Sequence, residues 1–430
     1  SAVDAVVGMS LTMMVTRPDA AGPGGGGMCL VYDREKNLVE ALEFLPHAAR
    51  TPPPRNHWIA ATPGSFRGLF ALHARYGKLR WEQLVLPAER LARFGVRIPR
   101  VLTRVLANKG VESIKDDASR AIFFDRLGKS LKEGDRLRQV NLAALLGRIR
   151  IAGPGDFYSG VSGRKFIEGV RAAGGWLTIN DLRGYRPSWQ KSIQGSFDVH
   201  EAHFVPSPAL GGPIAAGIWK ELGDKSDYSN SNEGERASLL LDASRRAYAA
   251  ALTKPQANTA SAGALAIDRK GSSATCVLTM NRPFGSGRMA GETGIMPAQP
   301  AEDGSTLALS AMLVTNRNTK QSFVAATSTG DALAPVALMA TALRALDGGV
   351  GVEKSLRAPR VGPMTEPDRI AAEPEAAKSA FGSGDKRVKE VPAIGLVNMM
   401  YCPKGMLERP DSCSVRNDPR GFGYAINAEF

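Results

Sequence analysis

Short apolar runs punctuated by glycine and proline set the hydrophobic pattern of this chain. The turn at Pro23–Gly27 leads into Met28–Asp33, a run that predicts a buried strand. Between Phe66 and Phe94 the period becomes helical. Leu69, Leu72, His73 and Tyr76 share a face, Gly77 stops that helix, and Trp81, Leu84 and Leu91 mark the next. The opening Ser1–Val15 predicts a buried helix carrying Asp4, and any secretion signal is expected upstream of it. Residues from about 100 to 190 predict mostly helix, with amphipathic segments at Val140–Ile149 and Arg164–Ala173. Phe197–Val205 predicts a strand, Pro206–Pro213 a tight loop, and Ile214–Leu222 and Leu239–Leu252 helices. Further on, Leu307–Thr315 and Ser322–Thr327 predict strands, Ala334–Leu346 an apolar helix, and Lys378–Glu390 a polar surface loop. Val391–Tyr401 and Gly423–Ile426 predict late strands. Helices and strands interleave without a βαβ rhythm, which suggests stacked antiparallel sheets with helices outside.

The segment Thr259–Asn281 predicts a β-hairpin, whose sheet Leu307–Thr315 and Ser322–Thr327 are placed to extend. Its first strand opens on small hydroxyl residues and its second carries Thr279 and Asn281. A hydroxyl residue freed as a new N-terminus uses its own α-amine as general base, so such a hairpin suits an N-terminal nucleophile. The alternative is a structural pair of hydroxyls, Ser261 and Thr279, facing each other across two strands.

Composition narrows the chemistry. The chain's 430 residues can bury a large core, and its apolar and charged fractions are ordinary for a globular protein. A net charge of +13 is dispersed rather than clustered, which predicts a solvated basic surface and no nucleic-acid partner. No apolar run approaches the roughly 20 residues of a membrane span. His47, His57, His73, His200 and His203 form no HExxH or comparable pattern, so no metal site is expected. Pro23–Gly27 lacks the GK[ST] of a phosphate loop, and no GxSxG occurs. Of the four cysteines, only Cys402 and Cys413 lie close together. They form either a disulfide, which places the protein in an oxidising compartment, or two free buried thiols.

Ordered motifs along almost the whole chain resemble the γ-glutamyltransferase family. Ser1–Val6 is similar to its NAVDAAVA helix and Pro63–Gly68 to its PGxxxG turn. Tyr76–Leu84, Pro87, Ala88, Leu91 and Ala92 follow its GxLxWxxLxxPAxxLA pattern. Leu210–Pro213 falls at SSGG, Asp242–Tyr248 at EAxRRAYA, and Ala358–Arg360 and Asp418–Gly421 at late motifs. The resemblance implies an α+β, four-layer αββα sandwich of the N-terminal-nucleophile type. It also implies self-cleavage into a large-subunit-like region 1–260 and a small-subunit-like region 261–430, which stay associated.

Laying the family pattern TTxxxVxDxxGNxVSxTxTxN on Asp268 and Gly271 puts the nucleophile at Ser261, with Thr259 as fallback. Thr279 then falls on the supporting threonine, Asn281 on a substrate-contacting asparagine and Asp303 on the group that holds the substrate amine. Ser310 falls in the family's SSM triplet and Thr329–Gly330 in its oxyanion loop. Leu45 stands where the family's carboxylate-binding arginine is expected, with Arg50 and Arg55 nearby. The implied activity is acyl transfer from an amide or γ-glutamyl-like small molecule to water or an amine, without metal or cofactor. The implied location is periplasmic or secreted. The alternative is a catalytically silent homologue serving a larger complex.

Overall fold

The computed structural model describes residues 1–430 except 224–225, 255–258, 302–305, 348–349, 367, 383 and 428–430. Asp303 lies outside the described residues. In chain order, the strands of the two main sheets begin with β1 (Gly26–Asp33), β2 (Leu38–Glu43), β3 (Ser188–Lys191), β4 (Ile193–Phe197) and β5 (His200–Phe204). They continue with β6 (Ser261–Ile267), β7 (Ser273–Thr279), β8 (Ser310–Asn316), β9 (Gln321–Thr329), β10 (Leu396–Tyr401) and β11 (Ser414–Arg416). Sheet one runs β6-β7-β1-β2-β3 and sheet two β4-β5-β8-β9-β10-β11, every pairing antiparallel.

Each sheet is covered on its outer side by helices. Sheet one packs under α1 (Ala2–Thr16) and α2 (Ser65–Tyr76), with α3 (Trp81–Phe94), α4 (Val140–Ala152) and α5 (Val161–Ala172) joining the same apolar cluster outside them. Sheet two packs under α6 (Gly211–Leu222) and α8 (Ala334–Leu346), with α7 (Glu233–Ala250) packed on α6 outside them. Side-chain alternation separates the layers. Cys29, Val31, Cys276 and Leu278 face the first helical layer, whereas Met28, Leu30 and Val277 meet Leu309, Ala311, Leu313 and Ala325 between the sheets. The result is the expected αββα sandwich.

Four expectations change. The segments at Leu307–Thr315 and Ser322–Thr327 form β8 and β9 of the opposing sheet rather than extending the hairpin's own sheet. The polar stretch Lys378–Glu390 contains the end of a helix, α9 (Pro374–Phe381), whose Ala376 and Ala377 are buried, and a short strand at Val388–Glu390. Gly423–Ile426 forms no strand, and β11 takes the edge of sheet two instead. The cysteines form two disulfides: Cys402–Cys413, which decides between the two readings of that pair, and Cys29–Cys276, which no local spacing announced.

Candidate functional site

The site is built at the open end of the hairpin. Ser261 starts β6 directly opposite Thr279, which ends β7. Ala262 and Ala264 face the helices, so Ser261 and Gly263 face sheet two. Gly263 lets the sheets close here, since a Cβ on it would fall 2.4 Å from Thr327 Oγ1 of β9.

Ser261 is only 6% exposed. Its Oγ donates to Ala308 O at 3.3 Å and accepts from the Gly330 N–H at 3.5 Å. Gly330 has φ +114°, a conformation that suits glycine and frees this N–H to point at the hydroxyl. Thr329, paired with Leu396 at the end of β9, is buried beside it. The structure thus brings Ser261, Thr279, Thr329 and Gly330 together.

Thr279 grips the carbonyl before Ser261 rather than the Ser261 hydroxyl. Its Oγ1 donates to Ala260 O at 2.8 Å and accepts from the Asn281 N–H at 2.8 Å. Ala260 O also accepts the Met280 N–H at 3.3 Å, so this one carbonyl holds two donors. Asn281 adopts φ +62° and anchors through Nδ2 to Gln299 O at 2.8 Å. Thr259 Oγ1, Asn281 Oδ1 and Thr327 Oγ1 are buried without a hydrogen-bond partner among the described residues. Such groups cost roughly 1–3 kcal/mol each unless a bound molecule satisfies them.

Ser310 pairs with Ser328 on the helix-facing side of sheet two, its hydroxyl against Gly211 at the start of α6. The Ser261 hydroxyl meets the carbonyl of Ala308, two residues before Ser310, and not the Ser310 hydroxyl. Leu45 is 5% exposed and embedded in the apolar layer between the sheets. The guanidinium of Arg50 instead reaches Gly184 O at 3.5 Å.

Residues known from the sequence only as late motifs hold the turn at Gly330. Buried Arg360 pairs with Asp418 at 2.7 Å and donates to Ile394 O at 2.9 Å, while Asp418 accepts the Val397 N–H at 2.9 Å. Glu373 accepts the Arg360 and Ile394 N–H groups at 3.0 and 2.9 Å. This network fixes the segment whose Gly395 and Leu396 pack against Gly330. Asp331 accepts the Leu333 N–H at 2.8 Å, and burial raises its carboxyl pKa despite that bond. The backbone groups of Ala260, Met280 and Ala308 carry no side-chain signature, so only the β-register reveals them. A cleft of about 720 Å³ lies at the other end of the hairpin, lined by Tyr32, Arg34, Tyr76, Asp268 and Ser272, and does not include Ser261. Among the described residues, no group of three His, Cys, Asp or Glu side chains converges on a metal-sized site.

A sequence profile described as gamma-glutamyltranspeptidase matches residues 1–261, more than half of the chain. The chain belongs to this family. Its curated relatives include glutathione hydrolase 3 of Arabidopsis thaliana, 31% identical over 262 residues, covering 58% of this chain and 41% of that protein. The glutathione hydrolase proenzyme of Escherichia coli (strain K12) is 26% identical over 365 residues, covering 70% of this chain and 63% of that protein. The chain therefore spans less than two thirds of the length of these relatives. In three dimensions it resembles the cephalosporin acylase from Bacillus halodurans, with TM-score 0.82 at 18% identity, covering 100% of this chain and 92% of that one. The Helicobacter pylori gamma-glutamyltranspeptidase aligns with TM-score 0.53 at 25% identity, over 58% of this chain and 76% of that one. As a gamma-glutamyltranspeptidase family member, this chain is divergent, and the likeness to the acylase speaks for fold alone. Among the described residues no helix is long and apolar enough to cross a membrane.

Proposed function

We propose that this family member is a self-processing amide acyl-transfer enzyme with Ser261 as its nucleophile. The observation that carries the reading is the Ala260 carbonyl, held by the Thr279 hydroxyl and the Met280 N–H immediately before Ser261. Attack by Ser261 Oγ on the Ala260 carbonyl carbon builds negative charge on that oxygen, where two donors already point. The C–N bond breaks, the nitrogen takes up the hydroxyl proton, and an ester joins Ala260 to Ser261 Oγ. Water then hydrolyses the ester, leaving an Ala260 carboxylate and a free α-amine on Ser261. Regions 1–260 and 261–430 become the large and small pieces.

In the mature site the α-amine takes the Oγ proton as Ser261 attacks a donor amide. The Gly330 N–H, already directed at the nucleophile, lies where a developing oxyanion needs a donor. The amine leaves with a proton, and water or an acceptor amine resolves the acyl-serine. Ser261 is buried in the unbroken chain, so movement of the severed segment is what opens it to a donor. Asn281 is assigned to donor contact on its unpaired buried Oδ1. Asp303 keeps a subsidiary assignment from the motif alignment, whereas Ser310, whose hydroxyl faces Gly211 on the helix side of sheet two, takes none.

Leu45 supplies apolar surface where a carboxylate would need a cation, so amide donors lacking a free α-carboxylate are favoured over γ-glutamyl ones. Relatives named for glutathione hydrolysis make glutathione the reference donor to compare. The two disulfides support a secreted or periplasmic site of action. Processing is tested on a reducing denaturing gel, and donor choice by assaying paired amides with and without the α-carboxylate on processed protein. A chain that stays whole and inert favours the catalytically silent reading. Faster turnover of γ-glutamyl donors refutes the role given to Leu45.

A further inference from the structure

We propose that the processed protein remains one covalent unit, its two pieces tied by the Cys29–Cys276 disulfide. The proposal rests on cleavage between Ala260 and Ser261 as described above. Cys29 belongs to β1 and therefore to the piece 1–260, whereas Cys276 belongs to β7 and the piece 261–430. They are direct cross-strand partners, bonded through sulfur across 247 residues of sequence, and the scissile bond lies within that loop. Cys402 and Cys413 both fall in the second piece and tie nothing across the cut.

The bridge sits on a seam that cleavage creates. Sheet one is divided between its pieces, β6 and β7 on one and β1, β2 and β3 on the other, with the β7–β1 ladder as the join. Sheet two is divided between β5 and β8 in the same way. Without a bridge, cutting the backbone makes unfolding release two chains, and stability then depends on protein concentration. With the bridge, re-pairing of β7 on β1 stays intramolecular at a high effective concentration. Both cysteines are fully buried under the first helical layer, which shields the bond from reductants in the folded state.

The two covalent events are chemically independent. Forming the bridge removes two electrons and two protons from the thiols, accepted by a disulfide-bearing oxidant through thiol–disulfide exchange. Cleavage consumes one water and changes no oxidation state.

The purified full chain is denatured with iodoacetamide to block exchange, then run on gels with and without reductant. The expected result is one band at the 45.7 kDa position without reductant and two fragments with it. Two fragments without reductant overturn the tether while leaving self-cleavage intact. A single band in both lanes refutes self-cleavage, and with it a tether between two pieces. Mapping of an unreduced digest reads the bond separately: a peptide pair joining Cys29 to Cys276 supports it, and alkylated Cys29 overturns it. In Cys29→Ser, the fragments separate without reductant, and the melting temperature of the cut protein rises with concentration. An equal concentration dependence in the parent contradicts the proposal.

Discussion

Replacing Thr279 with valine removes one hydroxyl while keeping the branched shape of the side chain. In the folded chain that hydroxyl makes two bonds of 2.8 Å, donating to Ala260 O and accepting from the Asn281 N–H. Its loss leaves Ala260 O with the Met280 N–H alone, at 3.3 Å. Removing one of two oxyanion donors typically costs about 10²–10³ in rate, or about 3–4 kcal/mol of transition-state stabilisation. Self-cleavage of Thr279→Val is therefore expected to slow by about two to three orders of magnitude, with Thr279→Ser recovering most of the rate. The unpaired Asn281 N–H adds a ground-state cost of about 1–3 kcal/mol to folding, which is measured separately by denaturant unfolding. The assay is conversion of newly folded precursor to fragments, followed on reducing gels. Cleavage of a folded Thr279→Val protein at nearly the parent rate refutes the assignment of this hydroxyl to the Ala260 oxyanion.

Other outcomes follow from groups elsewhere in the fold. His203 is buried between Ser192 Oγ and Thr315 Oγ1, with Glu201 Oε2 3.3 Å from its Nε2; burial, reinforced by the nearby Arg317 charge, outweighs that carboxylate and lowers its pKa from 6.5 to about 4. Between those values the unfolded chain binds a proton that the fold rejects, so stability falls as pH drops from 6.5 towards 4, by up to about 3 kcal/mol. Urea midpoints of the parent and His203→Gln across that range should show the acid limb flattened in the variant; parallel limbs refute it. Asp418→Asn strips the buried Arg360 of its counter-charge and should destabilise by about 3–5 kcal/mol at an unchanged denaturant slope. A midpoint within error of the parent contradicts that network. Thiol titration of denatured protein should find none without reductant and four after reduction, because both cysteine pairs are bonded. Two free thiols without reductant mean that one bridge is absent.

The elements most visible in the sequence are those whose signal is local. Ala334–Leu346 is apolar almost all round because it is buried between sheet two and its neighbours, and its predicted bounds match α8. The hairpin was legible because Asp268 and Gly271 mark its turn, where the Asp268 carboxylate accepts the Lys270 and Ser272 N–H groups. Sheet membership was not legible for β8 and β9: apolar runs predict strands, but pairing partners are set by packing far along the chain. Gly423–Ile426 carries strand-forming residues yet leaves Tyr424 and Ile426 exposed, so no face of it is buried to specify pairing. The Cys29–Cys276 bond is invisible to spacing because it depends on β7 lying beside β1. At the site, fixed offsets along the hairpin place Ser261 opposite Thr279. The contact that gives Thr279 its proposed role runs from side chain to backbone, and only the register places it.

Intact mass and N-terminal sequencing of the reduced parent protein and of Ser261→Ala test the central claim most directly. The expected result is a parent broken between Ala260 and Ser261, with Ser261 as the new N-terminus, and a Ser261→Ala chain that stays whole at 45.7 kDa. A break immediately before Thr259 transfers the role to that residue. An unbroken parent, or a Ser261→Ala protein cut at the same bond, contradicts the claim that Ser261 is the nucleophile.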